Sequence, residues 1–180
     1  MTLERFPRRT LRATHTLYRI HREPVWWFSS DGGGRFDPVG TGMGACYWAE
    51  CPLGAWVEVF RKRMLVTETE IAGRRLCSVT LGRDLRLADL TSRRALTFGV
   101  TASLGAKEDY GPSQAFAVRA ARADFDGVRY LARHDPSQRL YAVALFGKAG
   151  EWPAGDDREI PAELIAEAKA GFGYRVLPTP

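Results

Sequence analysis

The sequence predicts a single α+β domain that contains a mixed β-sheet. Its 180 residues fit one domain with a sizeable core. Segments with alternating apolar residues, typical of strands, interleave irregularly with segments of helical spacing, and no internal repeat is present. Residues 128–146 read as two strands joined by a turn, which predicts an antiparallel hairpin. Together these features favour a mixed sheet over a purely parallel one.

The N-terminal part predicts a lead-in, a strand and a long loop. Residues 1–13 are polar and rich in arginine, so we expect a flexible lead-in before a domain that spans residues 14–180. Thr16 to His21 alternates well enough to form a strand. Glycines and prolines across residues 23–44 predict a loop, and such a long loop inside a compact domain is usually functional or mobile.

The remaining elements follow from the same two periodicities. Ala45 to Ala49 predicts a short strand, and Pro52 suits the first turn of a helix. Apolar residues then recur at helical spacing at Leu53, Trp56, Val57 and Phe60. Further strands are predicted over residues 74–81, 85–87, 128–132 and 140–146. Further helices are predicted over residues 91–96, 112–123 and 162–170, the last one stopping at Gly171.

Composition narrows the class of protein and its compartment. No apolar run approaches the roughly 20 residues that span a bilayer, and the N-terminus lacks the apolar segment of a secretory signal. The three cysteines have no CxxC spacing, which favours free thiols in a reducing compartment. We therefore expect a cytoplasmic protein that does not enter a membrane. His15, His21 and His134 have no spacing typical of a metal site, so we expect no metal.

The positive charge could suit nucleic acid or an acidic protein. The net charge is +5, and the 26 basic residues include only four lysines, so 26 − 4 = 22 are arginines. These arginines are scattered, and no helix-turn-helix, zinc-finger or aromatic RNA-binding pattern accompanies them. We therefore do not expect this chain alone to bind nucleic acid, whereas a partly acidic protein partner fits better.

Several residues suggest a site for an anionic ligand, although each has a structural alternative. Arg35 follows three glycines, and flexible backbone amides beside a guanidinium fit a phosphate. The run matches neither a Walker loop nor a Rossmann fingerprint. Arg19 lies in the middle of a strand, where it either faces solvent or meets an anion. Glu58 falls beside the apolar stripe of its helix, where a solvated side chain is the simpler reading.

Aromatic residues have the same ambiguity. Tyr47 lies on a short predicted strand, where aromatic residues more often belong to a core than to a site. Residues 26–28, Trp-Trp-Phe, could stack on a base or pin their loop against the core.

Five features of the sequence occur in a characteristic order: Tyr18-Arg19-Ile20, Gly32-Gly33-Gly34-Arg35-Phe36-Asp37, Tyr47, Glu58 and Asp126-Gly127-Val128-Arg129-Tyr130. In this order they resemble the RES-domain family, whose members are bacterial toxins that degrade NAD and are usually encoded beside an Xre-type antitoxin. The resemblance implies a fold related to ADP-ribosyltransferases: a twisted mixed β-sheet split around a cleft, with flanking helices. One position departs from the family, because Ala132 stands where the family has a serine.

The resemblance also implies roles for individual residues. Arg19 and Arg35, with Gly34 in the same loop, would hold the pyrophosphate of NAD. Glu58 would stabilise the positive charge that develops when the nicotinamide–ribose bond breaks. Tyr47 would stack on or hydrogen-bond the nicotinamide ribose.

We expect Glu58, Tyr47 and Arg19 to be catalytic. Arg19, Arg35, Gly34, Tyr47 and Ala132 are expected to contact NAD, which would be a substrate with no further cofactor. An Xre-like antitoxin is the expected partner. Hydrolysis, phosphorolysis and transfer to a protein remain open. A catalytically weakened binding protein also remains open, since the missing serine implies slower turnover.

Overall fold

The computed structural model describes residues 3–22, 28–60, 63–150 and 155–179. Within these residues the strands are β1 Arg8–Leu11, β2 Thr16–His21, β3 Met43–Ala49, β4 Leu65–Thr67, β5 Arg75–Thr80, β6 Leu85–Asp89, β7 Gly127–Leu131, β8 Tyr141–Lys148, β9 Asp156–Glu159 and β10 Arg175–Leu177. The helices are α1 Pro52–Phe60, α2 Glu68–Ala72, α3 Ser103–Ala106, α4 Gly111–Arg122 and α5 Ala162–Phe172, with a 3₁₀ helix over Arg93–Phe98. In the described part of the chain, no helix is long and apolar enough to cross a membrane.

Eight strands form one mixed sheet in the order β1-β6-β7-β8-β3-β2-β5-β9. Strands β6 and β7 are parallel, and the other neighbours are antiparallel. Strands β4 and β10 form a separate parallel pair. The predicted hairpin is present as β7 and β8, which pair from Gly127 opposite Leu145 to Leu131 opposite Tyr141. The predicted α+β fold with a mixed sheet is confirmed.

The sheet is split between β3 and β2. Strand β3 pairs with β8 along its whole length, and β2 pairs with β5 along its whole length. Between β2 and β3, by contrast, the described residues pair only where Tyr18 lies opposite Ala49. Beyond this point the two strands diverge, and the gap between them opens the cleft that the family resemblance implies.

A helix packs on each half of the sheet, while a core cluster that includes Leu17 and Val143 spans both halves. Helix α4 packs on β7, and its Phe116 meets the edge of Phe6 with ring centroids 5.1 Å apart. Helix α1 packs on β2 and on α5. Its Trp56 and Phe60 are fully buried and lie 4.3 Å apart between ring centroids. The apolar stripe predicted for this helix therefore fixes it against the β2 side of the split.

The N-terminal segment differs from the prediction of a flexible lead-in over residues 1–13. Residues 8–11 form β1, which pairs with β6, and Leu11 lies opposite Leu85. Leu3, Phe6 and Leu11 are buried in the core. The domain therefore does not begin at residue 14. The few apolar residues are irregularly spaced among arginines, so no local period reveals that they pack against the rest of the chain.

Two helix boundaries also differ from the prediction. The segment expected to start at Thr91 is a 3₁₀ helix capped by Ser92, whose side chain accepts a hydrogen bond from the Arg94 amide. Helix α5 continues past Gly171 to Phe172 and ends at Gly173, which has a φ of 72°. Only glycine adopts that conformation without strain, so it is the second glycine that stops the helix.

Candidate functional site

A cleft of about 440 Å³ lies at the split in the sheet. Both halves of the sheet contribute to it, together with the loop that contains residues 32–37, here called the glycine loop. The predicted site residues among its lining are Arg19, Gly34, Arg35, Tyr47 and Glu58. The structure therefore brings together residues from β2, β3, α1 and the loop between β2 and β3. Trp26 and Trp27, considered above as stacking residues, lie outside the described residues.

The glycine loop is fastened to the sheet by a buried carboxylate. Asp37 is fully buried, and its two oxygens accept hydrogen bonds from the Gly34 amide at 2.8 Å and the Tyr47 hydroxyl at 2.7 Å. The Phe36 amide donates to the Tyr47 oxygen at 2.8 Å. Burial and the adjacent Asp37 charge raise the pKa of Tyr47 far above its ordinary value. Tyr47 therefore stays protonated and holds the loop in place.

This arrangement changes the interpretation of the glycines. The Gly33 amide donates to Asp31 at 2.8 Å, and the Gly34 and Phe36 amides are engaged as described. Two of these amides thus bond within the loop and the third bonds to Tyr47 on β3, unlike the phosphate cradle that the sequence suggested. Gly34 is required for close packing: a Cβ atom there would lie 2.2 Å from an Asp37 oxygen and 2.3 Å from the Tyr47 hydroxyl. The phosphate-binding capacity of this loop rests on Arg35.

Helix α4 holds the other side of the same loop. The Gln114 side-chain amide donates to the Gly32 carbonyl at 2.8 Å and to the Gly34 carbonyl at 3.0 Å. Neither Gln114 nor Asp37 had a role assigned from the sequence. A glutamine in an amphipathic helix is indistinguishable by spacing from a solvated one, so only the fold reveals this contact.

The two predicted cleft arginines, Arg19 and Arg35, contact neutral groups. The Arg35 guanidinium lies over the Tyr110 ring, 4.4 Å from its centroid, and donates to the Lys107 carbonyl at 2.6 Å. The Arg19 guanidinium donates to the Cys46 sulfur at 2.7 Å. Among the described residues neither arginine forms an ion pair. A guanidinium has five N–H donors, so both side chains retain donors and charge for an anionic ligand.

Glu58 projects from α1 into the cleft. It is half-buried and lies beside Ala55 and Val59 in the cleft lining. The simpler expectation of an exposed, solvated glutamate is not met, because the side chain is half-buried in the cleft lining. Because Trp56, Val57 and Phe60 turn one side of α1 into the core, the side that carries Glu58 faces the split in the sheet.

A buried arginine fixes the start of α1. Arg129 on β7 donates to the Glu50 carboxylate at 2.5 and 3.4 Å and to the Thr91 hydroxyl at 2.8 Å. Its guanidinium also lies 3.6 Å from Asp89. Burial alone would lower the pKa of Arg129, but Glu50 and Asp89 hold it above its ordinary value. Since Glu50 stands just before α1, this network connects the sheet to the helix that carries Glu58.

The turn after β7 adds two cleft residues that were not predicted. Arg133 and His134 line the cleft. Asp135 behind them is buried and accepts hydrogen bonds from the amides of Ser137, Arg139 and Leu140 at 2.7–2.9 Å. Burial would raise the pKa of Asp135, but these hydrogen bonds outweigh it and lower the pKa below its ordinary value. The carboxylate therefore stabilises the turn that presents Arg133 and His134.

Ala132 is placed differently from the other predicted contacts. It is buried, its amide donates to the Leu140 carbonyl at 2.9 Å, and it is not among the described residues that line the cleft. It lies two residues after Tyr130, which does line the cleft, and alternate residues of an extended chain share a face.

These observations define an α+β domain whose split sheet carries arginines and a glutamate around one cleft. The family model for the RES domain matches residues 16–163, and the chain belongs to the RES-domain family. The fold is similar to that of a chain in the crystal structure of the M. tuberculosis MbcT–MbcA toxin–antitoxin complex. The TM-score is 0.65 at 22% sequence identity, over 89% of this chain and 92% of that chain. No curated protein matches the sequence significantly.

Proposed function

We propose that this protein cleaves the bond between nicotinamide and ribose in NAD. The observation that carries the proposal is the convergence of Arg19, Arg35 and Glu58 on one cleft. The arginines come from a strand and a loop on opposite sides of the split, and they retain charge for a pyrophosphate. The carboxylate comes from a helix whose position is fixed by a buried apolar stripe. The cleft volume of about 440 Å³ lies within the usual range for ligand sites.

In the proposed reaction the arginines hold NAD and Glu58 acts at the bond that breaks. Loss of nicotinamide leaves positive charge on the ribose, and a fixed carboxylate in a partly buried site stabilises that charge. Glu58 can also orient the attacking group through a ribose hydroxyl. Arg19 binds the pyrophosphate and thereby positions NAD for the reaction. NAD is a substrate here, and the proposal requires no further cofactor or metal.

Tyr47 has a narrower role in this proposal than the family resemblance implied. Its hydroxyl already donates to Asp37 and accepts from Phe36, so it holds the loop that carries Arg35. Its ring still lines the cleft and offers a surface against which NAD can pack. We therefore assign Tyr47 to positioning and stacking, with no proton transfer.

We also propose that the protein is a cytoplasmic toxin controlled by a separate Xre-like antitoxin. The similar fold belongs to a chain from a toxin–antitoxin complex, which supports this assignment. The three cysteines are free thiols, in agreement with a reducing compartment. A net charge of +5 would favour association with an acidic partner. Expression without that partner should slow growth and lower cellular NAD, whereas normal growth and NAD at high soluble expression would contradict the toxin assignment.

Product analysis tests the proposed reaction and separates its variants. Purified protein is incubated with NAD alone, with added inorganic phosphate, and with a cell lysate, and the products are separated by chromatography. Nicotinamide with ADP-ribose indicates hydrolysis, and a phosphate-dependent phosphorylated product indicates phosphorolysis. ADP-ribose attached to lysate protein indicates the alternative, a protein ADP-ribosyltransferase. NAD that binds without releasing nicotinamide under any condition would indicate a weakened family member that acts by binding.

A further inference from the structure

Outside the lining of the NAD cleft, a histidine, a cysteine and an aspartate meet on three adjacent strands. His21 lies on β2, Cys77 on β5 and Asp157 on β9. One ligand atom from each residue lies within 4.8 Å of the other two. We propose that this cluster is a binding site for a divalent transition metal ion of the zinc type. A thiolate, an imidazole and a carboxylate are the ligands that Zn²⁺ takes in proteins.

The His21 ring lies between two hydrogen-bond acceptors. Its Nδ1 lies 3.2 Å from the Arg22 carbonyl and its Nε2 lies 3.0 Å from the Asp157 carboxylate. Both oxygens only accept hydrogen bonds, so a neutral ring satisfies just one of them. If Nδ1 carries the proton and donates to Arg22, the Nε2 lone pair faces the carboxylate. A metal ion between them would contact both the lone pair and the carboxylate, and a carbonyl on the other nitrogen is the usual support for a metal-bound histidine.

The dimensions suit a tetrahedral ion after a small adjustment. Zn²⁺ lies about 2.0–2.3 Å from its ligands, which places neighbouring ligand atoms about 3.5 Å apart. The His21 Nε2 and Asp157 oxygen atoms, 3.0 Å apart, must separate by about 0.5 Å, whereas a pair at the 4.8 Å limit must close by about 1 Å. Asp157 is exposed on the edge strand β9, so a side-chain rotation can supply that movement. Three protein ligands leave the fourth position to water.

Two neighbouring features set how strongly the ion should bind. Cys77 is a buried thiol, and a bound metal must displace its proton and release it to solvent. Arg19 lies opposite Cys77 in the β2–β5 ladder, and its positive charge repels a metal cation. We therefore expect reversible binding. The sequence did not suggest this site, because its ligands lie on strands that are far apart along the chain.

Titration with Co²⁺ tests the site directly, since a thiolate ligand produces a near-ultraviolet charge-transfer absorption. The full chain is titrated with Co²⁺ and then with Zn²⁺ as a competitor. We expect one Co²⁺ per chain, with the thiolate absorption removed by Zn²⁺. Cys77→Ser should abolish that absorption, and Asp157→Asn should weaken binding by at least about tenfold, in line with the effect of altering metal-site partners. Cys51→Ser is the matched control, because Cys51 lies outside the cluster and should leave the titration unchanged.

Thermal unfolding identifies any variant that fails to fold. Asp157→Asn changes an exposed side chain, so it gives an independent result even if Cys77→Ser is unstable. Absence of the thiolate absorption in the wild-type protein would overturn the proposal. An absorption that survives in a folded Cys77→Ser variant, or that disappears in Cys51→Ser, would overturn it as well. None of these readouts depends on NAD turnover.

Discussion

Two groups of arginines in this protein differ in what surrounds the guanidinium. Arg129 is 7% exposed and meets the carboxylates of Glu50 and Asp89. Arg19 and Arg35 are half-buried and meet a thiol, a carbonyl and an aromatic ring. The buried cation is matched by carboxylates, whereas the contacts of Arg19 and Arg35 with the described residues are all with neutral groups. The comparison separates an arginine whose charge is matched within the fold from two whose charge the described residues leave unmatched.

The difference follows from position in the sheet. Arg129 lies on a central strand, and an unpaired charge there would be prohibitively costly. Arg19 lies on β2, next to the gap where β2 and β3 diverge, so water reaches it and lowers the cost of leaving it without a carboxylate. The split in the sheet thus produces both the space for a ligand and the conditions under which uncompensated positive charge is tolerated.

The largest expected effect comes from breaking the buried network. Arg129→Met should lower the free energy of unfolding by about 3–5 kcal/mol, because the substitution leaves Glu50 and Asp89 buried without their cation. Chemical denaturation measures this loss. Arg19→Met should change stability by less than about 1 kcal/mol, since no partner charge is abandoned. Equal losses in the two variants would remove the distinction between the two groups.

The cleft arginines should affect ligand binding instead. Arg19→Ala and Arg35→Ala should each weaken NAD binding by about 10- to 100-fold, because a hydrogen bond to a charged group contributes about 1.5–3 kcal/mol. Lysine at either position should restore binding only in part, since a point charge does not reproduce the guanidinium fork. Calorimetry provides the measurement, and the exposed Arg93→Ala is the control. NAD affinity equal to wild type in both alanine variants would contradict the assignment.

The glycine loop gives a somewhat smaller effect on stability. Gly34→Ala should cost about 1–3 kcal/mol, because the new methyl group collides with Asp37 and Tyr47 and the loop must shift. Gly82→Ala is the control, since a Cβ there meets nothing within 4 Å. Thermal unfolding of the two variants tests the claim. If Gly34→Ala is as stable as Gly82→Ala, close packing does not explain this glycine.

Ala132→Ser gives the smallest expected effect. Restoring the serine typical of the family adds one hydroxyl near Tyr130 and should raise NAD turnover by about three- to tenfold, the equivalent of one hydrogen bond of about 0.5–1.5 kcal/mol. Steady-state nicotinamide release measures the change. Turnover that stays at the wild-type level would mean that another group already fills the role of the serine.

Local patterns predicted the secondary structure of the central part of the chain well. The alternation in Thr16–His21 correctly predicted β2, which has buried residues on both faces, and the apolar stripe of α1 follows directly from burial on one face. Strands β1 and β9 could not be predicted in this way, because they are short sheet-edge strands with mostly exposed residues. Their pairing partners are distant in sequence, and local periodicity carries no information about such contacts.

The sequence predicted which residues belong to the candidate site better than it predicted what each of them does. Ordered family motifs brought out Arg19, Arg35, Tyr47 and Glu58, and all four line the cleft. The Tyr47 hydroxyl forms a hydrogen bond to buried Asp37 because the loop folds back onto β3. Local sequence patterns do not reveal that contact. A turn stabilised by a carboxylate, such as the one presenting Arg133 and His134, likewise becomes visible only once the chain is folded.

Nicotinamide release by the wild-type protein and by Glu58→Gln tests the central claim most directly. The glutamine keeps the shape of the side chain and removes its charge. We expect release to fall by about a hundredfold, which corresponds to about 3 kcal/mol of lost transition-state stabilisation. NAD affinity and thermal stability should remain close to wild type. A folded Glu58→Gln protein that releases nicotinamide at the wild-type rate would exclude the carboxylate from the reaction, and a wild-type protein that releases none would contradict NAD cleavage.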